Sequence, residues 1–267
     1  MALPQPSESS TALVTGASAG IGEAIARELA SRGQNLTLTA RREERLTDLA
    51  AELHGQHGVR AGVVAADLGA ESERDRLAAK LDELGLEVEV LVNNAGFGYV
   101  GNFAESERRR QLEMVRLNCE AVVDLCARYL PEMVARGRGN VINIASTGAF
   151  QPMPKSATYG ATKAFVLSHS EAIHHELRGT GVSLTAVCPG PVRTEFVEAA
   201  DIRGVDNAPG FVWMSAEDLA KEAVDAAEAG KRAVVPGMLN YAGMLLGRHS
   251  PRLLTLPFAE RFWSQVE

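Results

Sequence analysis

The chain has 267 residues, of which 46% are hydrophobic and 23% are charged, and its formal net charge is −7. This composition is typical of one large globular α/β domain, and the negative charge argues against binding to nucleic acid. No apolar run reaches the roughly 18 residues of a membrane-crossing helix, and the polar N-terminal extension (residues 1–10) lacks the pattern of a signal peptide. Three scattered cysteines are too few for a disulfide framework or a zinc site. We therefore expect a cytoplasmic protein without a metal or a transmembrane segment.

Short apolar segments alternate along the chain with longer amphipathic ones, which predicts repeated strand–helix units. Strands are predicted at residues 11–14, 36–39, 62–65, 88–92, 141–145, 182–187 and 233–235. Helices are predicted at residues 20–32, 43–53, 71–84, 108–136, 157–178 and 216–229, the fourth being broken near Asn118. Strands that are apolar throughout indicate a parallel sheet covered on both faces, so the pattern predicts a doubly wound, Rossmann-type α/β fold of about seven strands.

The predicted fold occupies residues 11–236 as one domain. Its longest irregular stretch, about residues 190–215, is the expected substrate loop, because long ordered loops in compact domains are often binding loops. Residues 237–267 form an apolar segment with scattered arginines. Such a segment can seal a subunit interface, cover a substrate site or lie on a membrane surface, and we favour the first two.

A glycine-rich turn follows the first strand and opens the first helix. It runs from Thr15 to Gly22 with Gly-x3-Gly-x-Gly spacing. The free N–H groups of the helix N-terminus then face a phosphate, and glycines let the backbone approach it. The ending lacks the Gly-Lys-Ser/Thr of a P-loop, which disfavours ATP and GTP. The turn therefore predicts a dinucleotide site formed by Gly16, Ser18, Ala19, Gly20, Ile21 and Gly22.

The end of the second strand indicates which dinucleotide binds. An acidic residue there would bond the ribose hydroxyls of NAD, but this chain has Ala40, Arg41 and Arg42. A guanidinium can hold the 2′-phosphate of NADP, so the sequence favours NADP(H) over NAD(H). After the third strand, Asp67-Leu68 could receive the adenine amino group, or Asp67 could equally cap the next segment.

Tyr159 and Lys163 lie four residues apart on a predicted helix, which places them on one face. A free tyrosine loses its proton only near pH 10, and a cation beside it lowers that pKa. The pair therefore predicts a general acid/base. The alternative is a solvated helix face, because such pairs are common.

In this order, the motifs resemble those of the short-chain dehydrogenase/reductase family. The resemblance covers about residues 11–200 and rests on Thr15–Gly22, Asp67, Asn93-Asn94-Ala95-Gly96, Asn118, Ser146, Tyr159 with Lys163, and Pro189-Gly190. It implies an enzyme that transfers hydride between a nicotinamide cofactor and a carbonyl or secondary alcohol, usually as a dimer or tetramer. Ala19 stands where some NADP-specific members carry a basic residue, so the cofactor assignment depends on Arg41 and Arg42.

The resemblance also implies roles for individual residues. Ser146 would bond the substrate oxygen, Tyr159 would exchange a proton with it, Lys163 would hold the ribose and lower the tyrosine pKa, and Asn118 would order a water. Cofactor contacts are implied for Asn93, Asn94, Ala95, Gly96, Pro189, Gly190, Val192 and Thr194. Two donors aimed at one carbonyl oxygen would stabilise the charge that develops there.

An apolar substrate pocket is expected near the same edge of the sheet. Its candidate residues follow strand ends or lie in the long loop: Phe97, Tyr99, Phe150, Met153, Phe196, Trp213 and Met214. They favour a hydrophobic ketone or aldehyde. Two other functions remain open, a non-catalytic dinucleotide sensor and a reductase of lipid ketones at a membrane surface.

Overall fold

The computed structural model describes residues 3–192, 213–253 and 256–257. Within them, seven strands form one parallel sheet in the order β3-β2-β1-β4-β5-β6-β7. The strands are β1 (Ser10–Thr15), β2 (Leu36–Thr39), β3 (Ala61–Val63), β4 (Glu87–Asn93), β5 (Gly139–Ile144), β6 (Val182–Val187) and β7 (Ala233–Val234). The predicted seven-stranded, doubly wound sheet is confirmed.

Helices connect the strands and cover the sheet. They are α1 (Gly20–Ser31), α2 (Glu43–His57), α3 (Glu71–Glu83), α4 (Arg108–Val115), α5 (Ala121–Arg136), α6 (Ala157–Glu176), α7 (Ala216–Glu228) and α8 (Met238–His249). A π-helical turn, Arg116–Glu120, separates α4 from α5, so the predicted break near Asn118 is confirmed. Helix α8 has no counterpart in the sequence-based prediction.

Neighbouring strand residues face two separate cores, as expected for a sheet with helices on both sides. Val14 belongs to the core beneath α1, α2 and α7, whereas Leu13 belongs to the core beneath α3, α5 and α6. The central strands are buried along their length. This explains why their sequences are apolar rather than alternating.

The strand order reverses between β1 and β4, which lie side by side although β2 and β3 separate them in sequence. In open α/β sheets a ligand binds outside the carboxyl ends of the strands at such a switch point. The turn after β1, the residues after β4 and the loops after β5 and β6 therefore share one edge. Within the described ranges, every helix is too short or too polar to cross a membrane.

Candidate active site

The turn between β1 and α1 has the backbone that a phosphate-binding turn needs. Gly16 and Gly20 have φ angles of 66° and 60°, a region that side chains disfavour. A Cβ at Gly22 would lie 2.4 Å from the Gly16 carbonyl oxygen. The N-cap residue of α1 is Ala19, which gives no side-chain cap to the first N–H groups. Those donors suit a pyrophosphate, so the turn fits a dinucleotide.

Thr15 joins this turn to the end of β4. Its Oγ1 accepts hydrogen bonds from the backbone N–H groups of Asn94 (2.9 Å) and Ala95 (3.0 Å), and donates to the Val92 carbonyl at 3.0 Å. Asn94 Nδ2 donates to the carbonyls of Thr15 (2.9 Å) and Gly16 (3.3 Å). Thr15 was not among the predicted site residues, although a buried hydroxyl directly before the first glycine is a usable signal.

The residues after β4 do not all face the same way. Asn93 is buried, and its Nδ2 donates to Asn143 Oδ1 at 2.9 Å within the core. The structure therefore places its side chain between β4 and β5 rather than along the cofactor edge. Gly96 lies at the site, because a Cβ there would come within 2.9 Å of Asn118 Oδ1 and 3.7 Å of Lys163 Nζ.

The side chains of Ser146 and Tyr159 lie next to each other beyond the carboxyl end of β5. Ser146 follows β5 and precedes the 3-10 turn Thr147–Phe150, where its Oγ accepts a hydrogen bond from the Gly148 N–H at 3.0 Å. Its hydroxyl also hydrogen-bonds the phenol of Tyr159, which projects from the first turns of α6. The two groups that sequence reasoning assigned to one substrate oxygen are therefore adjacent.

Lys163 lies one helical turn further along α6. It is buried, and its Nζ donates to the Ile144 carbonyl at 2.8 Å and lies 5.8 Å from the Tyr159 ring centroid. Burial disfavours the ammonium and lowers the pKa of Lys163 to about 8. The Ile144 carbonyl thus holds the Lys163 ammonium in place, and burial makes that ammonium a stronger acid than an exposed lysine.

The expectation that Lys163 lowers the tyrosine pKa is not met in the chain by itself. Burial raises the pKa of Tyr159, and the hydrogen bond from Ser146 opposes that rise. The phenolate loses its hydration on burial, while the Lys163 ammonium is directed at a backbone carbonyl. The phenol is therefore the stable form at neutral pH.

Asn118 occupies the π-helical turn and is buried. Its Oδ1 accepts from the Phe97 N–H at 3.2 Å, and its Nδ2 donates to the Phe97 carbonyl (3.0 Å) and to Thr162 Oγ1 (3.1 Å). Thr162 in turn donates to the Tyr159 carbonyl at 2.8 Å. The structure thus connects Asn118 to the helix that carries Tyr159 and Lys163.

The two arginines after β2 differ in position. Arg42 reaches back to the glycine turn, where its guanidinium donates to Ser18 Oγ at 3.1 and 3.2 Å and to the Ser18 carbonyl at 3.3 Å. Arg41 is exposed beside it.

Asp67 and Leu68 follow β3. Asp67 Oδ1 accepts a hydrogen bond from the Gly69 N–H at 3.1 Å, as expected if Asp67 caps the next segment, and Leu68 is buried.

The loop after β6 contacts the 3-10 turn that follows Ser146. The Pro189 carbonyl accepts from the Thr147 N–H at 2.8 Å, and Val192 pairs with Met214 in a parallel bridge. Gly190 lies against Asn240 of α8, since a Cβ there would be 2.3 Å from Asn240 Oδ1. Asn240 was missed because no motif marks it. Thr194 lies outside the described residues.

The predicted pocket residues surround Tyr159 only in part. A cavity of about 20 Å³ is lined by Tyr99, Phe103, Gln111 and Tyr159, among others. Met153 is buried against Gly148 and Gly160, and Phe150 contacts Arg248 of α8. Phe97 and Trp213 are half-buried, and Phe196 lies outside the described residues.

His174 hydrogen-bonds the Leu184 carbonyl, and no metal-binding cluster occurs within the described ranges.

Comparison with known proteins places this geometry among dehydrogenases. The family model of the short chain dehydrogenases matches residues 10–203. A sulfoacetaldehyde reductase 2 of Chromohalobacter salexigens is 36% identical over 219 residues, which are 78% of this chain and 84% of that protein.

Solved structures share the whole architecture. A 7β-hydroxysteroid dehydrogenase superimposes with a TM-score of 0.83 at 25% identity, covering 96% of each chain. A short-chain dehydrogenase from Sphingobium yanoikuyae in complex with NADPH superimposes with a TM-score of 0.78 at 31% identity, covering 97% of this chain and 96% of that one.

Proposed function

The chain belongs to the short-chain dehydrogenase/reductase family, and on that premise we propose that it is an NADP(H)-dependent oxidoreductase of a ketone or aldehyde and the matching alcohol. The single observation that carries this proposal is the convergence of Ser146, Tyr159, Lys163 and Asn118 at the carboxyl edge of the sheet. Both hydroxyls lie where two donors can share one substrate oxygen.

When bound, the nicotinamide supplies hydride for reduction or accepts it in oxidation. Ser146 and Tyr159 donate hydrogen bonds to the carbonyl oxygen, and Tyr159 Oη gives that oxygen its proton. In the oxidative direction Tyr159 takes the proton back. Lys163, whose Nζ donates to the Ile144 carbonyl, would hold the ribose of the cofactor, and Asn118 would order a water that carries protons between Lys163 and solvent.

Replacing Tyr159 with phenylalanine tests this assignment. In Tyr159→Phe, carbonyl-dependent oxidation of NADPH should fall by about 10²- to 10⁴-fold because the proton donor is lost. NADPH binding, measured by fluorescence, should persist. Tyr129→Phe is the matched control, since that buried tyrosine lies on α5 and should leave turnover unchanged. Undiminished turnover in Tyr159→Phe would show that the acid/base is another group.

The preference for NADP(H) rests on Arg41 and Arg42. The contact between Arg42 and Ser18 supports it, because it holds a guanidinium beside the phosphate-binding turn. The NADPH complex of the Sphingobium yanoikuyae relative is consistent with it. Each arginine would give the 2′-phosphate a charge-assisted hydrogen bond.

Dissociation constants for NADPH and NADH measure the preference directly. Arg41→Asp and Arg42→Asp should each weaken NADPH binding by about 10- to 100-fold and change NADH binding little. Arg178→Asp, two residues beyond the C-terminal end of α6, supplies the same change of charge away from the glycine turn. An unaltered ratio of the two constants in the Arg41 and Arg42 variants would refute the assignment.

We further propose a hydrophobic carbonyl substrate and a homo-oligomeric enzyme. Phe150 and the buried Met153 next to the catalytic turn support the first, and a panel pairing apolar ketones with charged aldehydes tests it. Exposed apolar side chains on α4, α5 and α6 support the second: Leu112, Val115, Val123 and Phe165.

A further inference from the structure

Helix α8 presents an apolar face to solvent. Of the thirteen large apolar side chains that are exposed within the described ranges, six lie between residues 238 and 253: Met238, Leu239, Tyr241, Leu245, Leu246 and Leu253. Met238, Leu246 and Leu253 are 87%, 71% and 85% exposed. Met238, Leu245 and Leu246 follow the i, i+7, i+8 spacing of one helix face. Apolar exposure concentrated in one segment, rather than scattered singly, is typical of an interaction surface.

The opposite face of α8 is occupied by the protein. Met244 is buried, Asn240 lies against Gly190, and a Cβ at Gly247 would be 2.6 Å from Gln151 Oε1. The helix therefore spans the loop after β6 and the turn after Ser146. Because this inner face is packed against the protein, the apolar outer face has a fixed position next to the candidate active site.

The charged residues in and around α8 are all basic. From residue 229 to residue 259 the sequence has no Asp or Glu, although the whole chain has 34 of them. The same stretch has four basic residues, Lys231, Arg232, Arg248 and Arg252. Arg248 of α8 and Arg252, three residues beyond its end, are both exposed. An anionic surface complements this arrangement, in spite of the net charge of −7.

We propose that α8 docks on an anionic lipid bilayer, with its apolar face in the interface and Arg248 and Arg252 against lipid phosphates. Twelve residues span only about 18 Å, so the helix lies on the bilayer rather than crossing it. An apolar helix face flanked by arginines is the composition of interfacial helices. A second copy on this face would bring basic flanks together without an acidic partner from the segment, which disfavours self-association there.

The test is co-sedimentation of the full-length protein with vesicles of phosphatidylcholine containing phosphatidylglycerol, against vesicles of phosphatidylcholine alone. The wild-type protein should sediment with the anionic vesicles and be released by high salt. The double variant Leu246→Glu/Leu253→Glu should bind at least about tenfold more weakly. Arg252→Gln should weaken binding by about fivefold.

The double variant Leu84→Glu/Val134→Glu is the matched control, because it adds the same two charges at exposed apolar positions on α3 and α5. It should bind like the wild type, and circular dichroism verifies that all variants fold. The proposal is overturned if the wild type does not bind, or if both double variants lose binding equally. It is also overturned if Leu246→Glu/Leu253→Glu lowers the molar mass in solution while vesicles capture no wild-type protein, since a second copy then covers this surface.

Discussion

At the scale of single residues, the proposed chemistry depends on two opposed pKa shifts. Burial raises the pKa of Tyr159, and burial lowers that of Lys163 to about 8. At neutral pH both residues therefore hold their protons, the form that carbonyl reduction requires. Oxidation requires the phenolate, so its rate should rise with pH. The hydrogen bond from Ser146 opposes the effect of burial on the Tyr159 pKa. The rate of oxidation should therefore begin to rise at a lower pH than it would without this bond.

Ser146→Ala should therefore change the pH profile as well as the rate. Loss of the hydrogen bond leaves burial unopposed, so the Tyr159 pKa rises further and the profile of alcohol oxidation shifts to higher pH. Reduction should slow by about 10²- to 10³-fold because one oxyanion donor is lost. Initial rates in both directions between pH 6 and pH 10 measure these effects. A slower enzyme with an unshifted oxidation profile would show that Ser146 does not act on Tyr159.

At the scale of elements, the turn between β1 and α1 depends on two close approaches. Gly22 lies where a Cβ would be 2.4 Å from both the Gly16 carbonyl oxygen and Asn94 Nδ2. The same Asn94 amide donates to Thr15 and Gly16. The glycine turn and the Asn-Ala-Gly motif after β4 are therefore one structure, although about seventy residues separate them in sequence.

Gly22→Ala should destabilise the fold by about 1–3 kcal/mol, because backbone atoms must move to admit the methyl group. It should also weaken NADPH binding, since the N-terminus of α1 shifts. Urea denaturation and fluorescence titration measure the two effects. Gly55→Ala is the control, because no atom lies within 4 Å of a Cβ there and α2 should gain stability. Unchanged stability and affinity in Gly22→Ala would contradict the close packing.

At the scale of the whole molecule, a second group of exposed apolar side chains within the described ranges is the proposed surface for a second copy. Leu112, Val115 and Val123 follow one face of α4 and α5, and Phe165 stacks on His169 at 5.6 Å on the neighbouring α6. These side chains lie on elements other than α8, so the proposed oligomer and the proposed lipid contact use different residues.

Phe165→Glu should shift the protein toward monomer, because a carboxylate would be buried without a partner in an apolar interface. Light scattering coupled to size-exclusion chromatography measures the molar mass. Leu84→Glu, on α3, supplies a control that should leave the mass unchanged. A monomeric wild type, or an oligomer indifferent to Phe165→Glu, would place the interface elsewhere or exclude it.

Much of the fold was predictable because the strands are apolar throughout and the helices between them are amphipathic. The break at Asn118 was predictable, but its π-helical form depends on hydrogen bonds to Phe97 and Thr162. Helix α8 was missed because Gly243 and Gly247 lower the helix propensity of a segment that carries no recognisable motif. The hydrogen bond between Asn93 and Asn143 was not predictable, because the two residues lie fifty positions apart in the sequence.

The sequence by itself determined the family, the doubly wound sheet and the residues that carry the predicted chemistry, because local spacing encodes turns and helix faces. Only the tertiary structure decided how those residues act. It buried Lys163 and half-buried Tyr159, so desolvation rather than their mutual charge sets the directions of their pKa shifts. It also brought the Arg42 guanidinium to Ser18 and packed α8 against Gly190 and Gln151, next to the candidate active site. Burial and long-range contact arise only on folding, and no short motif records them.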